Sequence, residues 1–591
     1  MLNKLLNLCL KHLSFFINFK KVFSLIVLLI IPVSGILAQT ITINKNIKYQ
    51  TIDGFGFFGA QDVWWTDENL YSDAWATLCL KDLGLSIWRN EYYPPIDPNW
   101  PDDYQDADWN KQKPVVQGLK KIADQLGVPL KFIFTVWSPP AALKCALDDS
   151  LNILSGVRHP TGTKWGGTLD TAKFSQFADW LKAGIKNYKD VGIDLYAFSC
   201  QNEPYFYQPF NSCFYQPDWY VNMINGVIPT VKATYPNIKV FGPEHMLESE
   251  GGDGREWFYT NEIKQNANAT NNIDILAVHG YSDGVNPTSG SMLATLWTNF
   301  AKDFSTPMNK NTWMTETSGY MNTWESSENS EGVLLPGAFN LAMDIHAALS
   351  YGNVSGWLWW QGSENLVENG ESGQPSEFGL MSGTTVGKKY YACKHFYRFI
   401  RPGAQRIQSS TTDDLVFVTS YYHPTDNTYT IVILNSDYAD KNVTLTLQGA
   451  GFPSRFDKYQ TNATPTDNCK LIGSVTANST IAIPARSITT LYAGGDPLGT
   501  GDIENKTADP IVEVYPNPVT DICNIVIYDE NMSAAVISII DSEGKIVKKS
   551  MINQGSIFSV NSINIEDLPA GCYILSIESN GKITNKKIIK N

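Results

Sequence analysis

The sequence predicts an α/β protein: a (β/α)8 TIM barrel with an all-β sandwich side domain and a small C-terminal β-sandwich. Three observations predict it. Between Thr51 and Phe399 a short apolar strand, a polar strand end and a longer helical stretch recur eight times. From Asp413 to Leu491 the texture changes to short strands such as LVFVTSYYH, TYTIVILNS, NVTLTLQG and STIAIPARSITTLYAG. Beyond a Gly-, Asp- and Pro-rich stretch, alternating strands resume and run to the end of the chain.

In chain order, residues 1–38 read as an export signal. Lys4, Lys11, Lys20 and Lys21 precede the apolar run Val22–Val33, and Ala38 offers a small cleavage residue before Gln39. That run is short for the roughly twenty residues of a membrane span. Residues 39–52 (TITINKNIKYQ within them) alternate as a strand with no barrel partner, which suits the later β domain. The barrel is expected over 53–400. Its strands are DGFGFFGA (53–60), LSIWRN (85–90), LKFIFTVW (130–137), DLYAFSCQNEP (194–204), IKVFGPEH (238–245), DILAVHGY (274–281), NTWMTET (311–317) and SGWLWWQ (355–361). Amphipathic stretches precede several of them, and KFSQFADWLKAGIKNYKDVG ends on Gly192 as a helix C-cap would. The side domain is expected over 401–493, a linker over 494–510 and the terminal β domain over 511–591.

Composition narrows the function. Forty-five Lys and Arg face 59 Asp and Glu, a formal charge of −14 that argues against nucleic acid or anionic membrane as partner. Seventeen Trp and 28 Tyr exceed a core's needs and suit a cleft that stacks on sugars. Seven His and nine scattered Cys without a CxxC give no zinc ribbon or redox motif. Export makes disulfides possible; Cys200 and Cys213 could bridge or remain buried thiols.

Chemistry in a barrel belongs at the C-terminal strand ends. Asn202-Glu203-Pro204, His279-Gly280-Tyr281 and Thr315-Glu316-Thr317 fall there. A retaining glycosidase needs two carboxyl groups about 5–5.5 Å apart, one protonating the leaving oxygen and one attacking the anomeric carbon. Glu203 ends the fourth strand and Glu316 the seventh, so the two could face each other across the mouth. Alternation groups Glu203 with Ala197, Ser199 and Gln201 on the inner face and leaves Tyr196, Phe198 and Cys200 outside.

These residues carry a resemblance. IDLYAFSCQNEPYF, NIDILAVHGY, NTWMTET, LWWQ and YYACKHFYRFIRPGAQRI, with QTIDGFGFFGAQDVWW and VWSPPAALK, resemble glycoside hydrolase family 30 over about residues 40–495. The resemblance implies that Glu203 is the acid/base and Glu316 the nucleophile. It further implies that Asn202 bonds the sugar 2-hydroxyl, that Arg89 pairs with the nucleophile and that Tyr281 lies near it. His279 is either part of the site or a buried, satisfied histidine. Trp64, Trp137, Trp359 and Trp360 are either sugar platforms or packing. No metal or other cofactor is implied, and no His or acidic cluster has metal-ligand spacing in the sequence. EVYPNP, DSEGKIV, LPAGCYILSI and KKIIKN resemble the type A C-terminal sorting domain of the type IX secretion system.

The expected protein is therefore a secreted or cell-surface monomer that handles a β-linked polysaccharide and meets the type IX machinery. A catalytically dead sugar-binding protein or an adhesin on the same scaffold are the non-enzyme alternatives. Within the family, glucuronoxylanases carry basic residues soon after the eighth-strand Trp pair. Here QGSENLVENGESG follows, with Glu364, Glu368 and Glu371 and no Lys or Arg. That stretch would repel a glucuronate. Xylan without dependence on glucuronyl branches is the expected substrate. β-1,6-Glucan, β-1,6-galactan and exo-acting β-glycosidase substrates, such as β-fucosides or glucosylceramide, are the alternatives.

Overall fold

Eight parallel strands close a barrel in the computed structural model, which describes residues 39–591 except 60–62, 65–69, 95–108, 149–150, 159–165, 207–210, 248–255, 282–290, 330, 365–372, 495–510, 516, 529–533, 554–557 and 580–581. The export signal at 1–38 and nearly all of the linker at 494–510 lie outside the described residues. After β1 (Gln39–Thr51), the barrel strands are β2 (Gly54–Phe58), β3 (Ile87–Glu91), β4 (Lys131–Thr135), β5 (Ala197–Ser199), β6 (Lys239–Met246), β7 (Ile275–His279), β8 (Asn311–Glu316) and β9 (Val354–Trp359). Each pairs with its neighbour in chain order, and β9 returns to β2. All eight fall on the expected apolar runs, and the expected fold class is borne out.

Period-two alternation sorts the side chains. Ile87, Ile133, Ala197, Phe241, Ile275, Ala277, Trp313 and Leu358 fill the interior. Trp88, Phe134, Phe198, Val278 and Trp357 point outward into the larger core beneath the helices. The Trp313 ring fits the interior because β9 offers a glycine: a Cβ on Gly356 would lie 2.7 Å from the ring. Tyr196 corrects the alternation reading. It precedes β5 and stacks 6.0 Å from Trp313 at the N-terminal end of the barrel, rather than packing against the helices.

The helices α1 (Trp109–Leu126) and α2 (Phe174–Asp190) bury one face each, Val115, Leu119 and Ile122 in the first and Phe177, Leu181 and Ile185 in the second. The left-handed glycines Gly127 and Gly192 follow them.

Nine strands form the side domain. Chain order continues with β10 (Gln405–Thr411), β11 (Val416–His423), β12 (Thr428–Asn435), β13 (Lys441–Gln448), β14 (Arg455–Thr461), β15 (Lys470–Thr476), β16 (Thr480–Ile483) and β17 (Ser487–Ala493). β1 lies between β10, antiparallel, and β13, parallel, and its Ile41 and Ile43 are fully buried in the side-domain core. The helix α3 (Lys388–Tyr397) ties the barrel to this domain: His395 bonds Thr490 Oγ1 and Thr461 Oγ1, each at 2.7 Å. Near the C-terminus a three-stranded and a four-stranded sheet share a core around Ile525, Ile537 and Leu575.

All eight described cysteines are free, Cys200 and Cys213 among them, so the possible bridge is not formed. Both are fully buried and behave as small apolar groups. Among the described residues no helix is long and apolar enough to cross a membrane.

Candidate active site

The mouth of the barrel is organised by one buried cation. Arg89 follows Ile87 on the inner face of β3 and is fully buried. Its Nη1 donates to Glu316 Oε2 at 2.6 Å, and its Nη2 donates to Asn202 Oδ1 at 2.9 Å and Glu244 Oε1 at 3.0 Å. Its Nε donates to Thr135 Oγ1 at 3.1 Å. The planar fork suits this work because it reaches several acceptors at once. Burial alone would lower the Arg89 pKa, but Glu244 and Glu316 hold it above its ordinary value. The guanidinium carbon lies 4.8 Å from the Trp137 ring centre.

Glu316 reaches the mouth through a register shift. Val278 pairs with Met314 but His279 pairs with Glu316, so Thr315 is an extra residue in the ladder. The shift re-aims Glu316, which strict alternation would send outward with Met314. Its second oxygen, Oε1, accepts from Tyr281 Oη at 2.7 Å. Glu203 comes after β5 has ended, at φ 42°, a left-handed conformation unusual for a residue with a Cβ. The ladder stops at Ser199, ahead of Pro204. A short turn then holds Glu203, with Phe206 N donating to Glu203 O at 2.8 Å.

His279 lies between the two carboxylates, fully buried. Its Nδ1 bonds Glu203 Oε1 at 2.8 Å and lies 3.9 Å from Glu316 Oε1. Burial would lower its pKa, but Glu316, Glu203 and Glu244 more than offset this and raise it to about 9. These neighbours favour the protonated ring. The stability linked to that proton is complete below pH 6.5 and is lost as pH rises through about 9.

One oxygen each of Glu203 and Glu316 and a ring nitrogen of His279 lie within 4.8 Å of one another. A metal ion could be reached at such distances, but His279 Nδ1 is already bonded to Glu203 Oε1, and Glu316 Oε1 already accepts from Tyr281 Oη. For two carboxyl groups the separation suits direct attack on a bound sugar.

The aromatic candidates divide. Trp360 continues the inner face after Leu358 and stacks on Phe58 at 4.3 Å, with Trp137 at 5.8 Å from it. Trp64 sits behind Phe58 at 6.2 Å and packs on Tyr93, in a layer beneath the mouth. Trp359 does not reach the site. It points outward, fully buried, donates Nε1–H to Phe378 O at 2.5 Å and packs on Tyr320. Glu364 accepts from Ser376 Oγ at 2.6 Å, whereas Glu368 and Glu371 lie outside the described residues.

Three residues escaped the sequence reading: Phe58, Thr135 and Glu244. Glu244 is fully buried at φ 59°, beside a second register shift in which Ala277 pairs with Pro243 but Val278 with His245. Burial would raise its pKa, but Arg89 and then His279 hold it below the usual carboxylate value. Its position at a strand end was the available signal.

The chain is similar to known proteins in its domains and in its fold. Residues 403–491 match the glycosyl hydrolase family 30 beta sandwich domain, and residues 513–591 match the secretion system C-terminal sorting domain. The chain is 23% identical over 466 residues to glucuronoxylanase XynC of Bacillus subtilis (strain 168), covering 77% of this chain and 91% of that one. Its fold is similar to a GH30 endoxylanase from Clostridium papyrosolvens C71, with a TM-score of 0.58 and 23% identity over 77% of this chain and 100% of that one. It is also similar to the endo-beta1,6-glucanase BT3312, with a TM-score of 0.57 and 18% identity over 77% and 94%. At these identities the two structures speak for the fold. The resemblance read from the sequence is borne out.

Proposed function

We propose that this chain, a glycoside hydrolase with the family 30 β-sandwich domain and a type IX sorting domain, hydrolyses a neutral xylan-type hemicellulose without needing glucuronyl branches. The observation that carries the reading is the facing pair Glu203 and Glu316, within 4.8 Å, with Arg89 and Tyr281 on one and His279 on the other. Glu316 attacks the anomeric carbon and Glu203 gives its proton to the leaving oxygen. Water then donates a proton to Glu203 and displaces Glu316, so the anomeric configuration is retained. Arg89 fixes the nucleophile and places Asn202 beside it, within reach of the sugar's 2-hydroxyl. Tyr281 steadies the other nucleophile oxygen. Trp137 and Trp360 offer rings for stacking at the mouth. A non-catalytic sugar binder would have no use for a carboxylate pair set this way.

The substrate class draws on similarity to XynC and to the endoxylanase. Branch independence rests on residues 361–372, which contain no Lys or Arg. Losing a charge-assisted contact to a substrate carboxylate costs about 2–5 kcal/mol, enough to erase a strict preference. kcat/KM on linear xylo-oligosaccharides is expected to equal or exceed that on glucuronoxylan fragments of equal length. Mass spectrometry of the products checks it: a ladder in which each product carries one glucuronyl group refutes branch independence. Similarity to the β-1,6-glucanase supports a second reading, and silence on all xylans with cleavage of β-1,6-glucan would select it.

The sorting domain directs the chain to the cell surface or exterior. The mature enzyme is proposed to act as a monomer, beginning near Gln39 and ending before residue 513. Intact-mass analysis of the protein secreted by its native host tests both ends, and retention of residues 513–591 on soluble enzyme overturns the C-terminal part.

A further inference from the structure

Glu244 has no part in a two-carboxylate mechanism, yet its side chain is fully buried at the centre of the site. It accepts from Arg89 Nη2 at 3.0 Å and faces Thr135 Oγ1 at 3.4 Å and His279 Nε2 at 3.7 Å. A register shift and a left-handed backbone are both spent on bringing it there. A buried carboxylate is costly unless its charge is needed.

Counting charges shows the need. Before reaction Glu203 carries its proton, while Glu244 and Glu316 are anions and Arg89 a cation; a second cation is required for neutrality. In the covalent intermediate Glu316 is an ester and Glu203 an anion, and the same second cation is required again. His279 can supply it, and Glu244, 3.7 Å from its Nε2, is the neighbouring carboxylate whose charge is the same in both states. We propose that Glu244 is a positioning residue that keeps His279 an imidazolium through both half-reactions, with its Nδ1–H directed at Glu203.

The groups that bear on His279 among the described residues are Glu203 after β5, Glu244 on β6, Glu316 on β8 and Tyr281 just beyond its own strand. Arg89 on β3 acts through the carboxylates. His245, beside Glu244, is bonded to Met246 O and Thr260 Oγ1, and burial lowers its pKa to about 4, so it stays neutral. In the first half-reaction the proton of Glu203 goes to the leaving oxygen as the glycosidic bond breaks and the bond to Glu316 forms. In the second, water gives Glu203 a proton as its oxygen replaces Glu316. His279 keeps its proton throughout and donates a charge-assisted hydrogen bond to the Glu203 carboxylate in the intermediate.

The kinetic consequence rests on Glu203 being the acid/base; the titration of His279 does not. Nitrogen-15 NMR of histidine-labelled full chain, with the signal assigned through His279→Asn, should show the ring titrating near pH 9 in the wild type. In Glu244→Gln the midpoint should fall by at least about one pH unit. The variant's kcat/KM should fall by about tenfold or more on xylan and by less on aryl glycosides with good leaving groups. Glu244→Asp should recover part of both. An unchanged midpoint in folded Glu244→Gln overturns the proposal. Should that variant fail to fold, a wild-type His279 that is neutral at pH 7 overturns it alone.

Discussion

Glu316→Gln is expected to abolish turnover, lowering kcat by at least about 10⁴-fold on every substrate regardless of leaving group. The amide cannot form the glycosyl ester. The fold should survive, because Gln matches the volume of Glu and its oxygen can still accept from Arg89 Nη1. Arg89 also keeps Glu244 at 3.0 Å and Asn202 at 2.9 Å. Thermal unfolding should shift by less than about 4 °C. Steady-state hydrolysis together with a melting curve checks both, and near wild-type turnover by the folded variant would remove Glu316 from its role. Glu316→Ala opens space beside Arg89 for a small anion, and azide should then restore turnover with an inverted glycosyl azide as product.

Glu203→Gln should separate substrates by their leaving groups. Proton donation contributes about 10²–10⁴-fold when the departing oxygen is a poor leaving group, and little when it is a nitrophenolate. Xylan hydrolysis should fall across that range while the first step on nitrophenyl glycosides persists. The second step then lacks its base, so a burst of nitrophenolate should precede slow release of the sugar. Pre-steady-state kinetics on aryl glycosides of graded acidity test this. An equal loss on all of them would assign Glu203 to some task other than proton transfer.

The eight barrel strands were legible because each is an apolar run that ends in polar residues, a pattern imposed by a packed interior below a reactive rim. The pairing of Glu203 and Glu316 was legible as a chemical motif, although its geometry was not. Simple alternation sends Glu316 outward, and only a one-residue slip in the β7–β8 ladder turns it inward. The same kind of slip concealed Glu244, which no motif advertised. For Trp359 and Trp360 the motif alone left platform and packing both open. Leu358 faces inward, so alternation already assigned Trp360 to the mouth and Trp359 to the packing beneath the helices. Cys200 and Cys213 show that export does not by itself make a bridge: two thiols can share a core without being joined.

The placement of β1 ties the two ends of the catalytic unit together. Gln39 pairs with Val443 and Ile41 with Thr411, so the side domain is complete only when segments more than three hundred residues apart have met. Contacts so distant in sequence form late. A polypeptide that emerges from its N-terminus must carry Ile41 and Ile43 unpaired through the whole passage of the barrel. Until β10 and β13 have followed, β1 keeps both of its edges open, a hazard for aggregation. Proteolysis meets the same constraint. Trimming five residues beyond Gln39 would strip both isoleucines from the side-domain core, so the fold itself limits how far the chain can be shortened from that side.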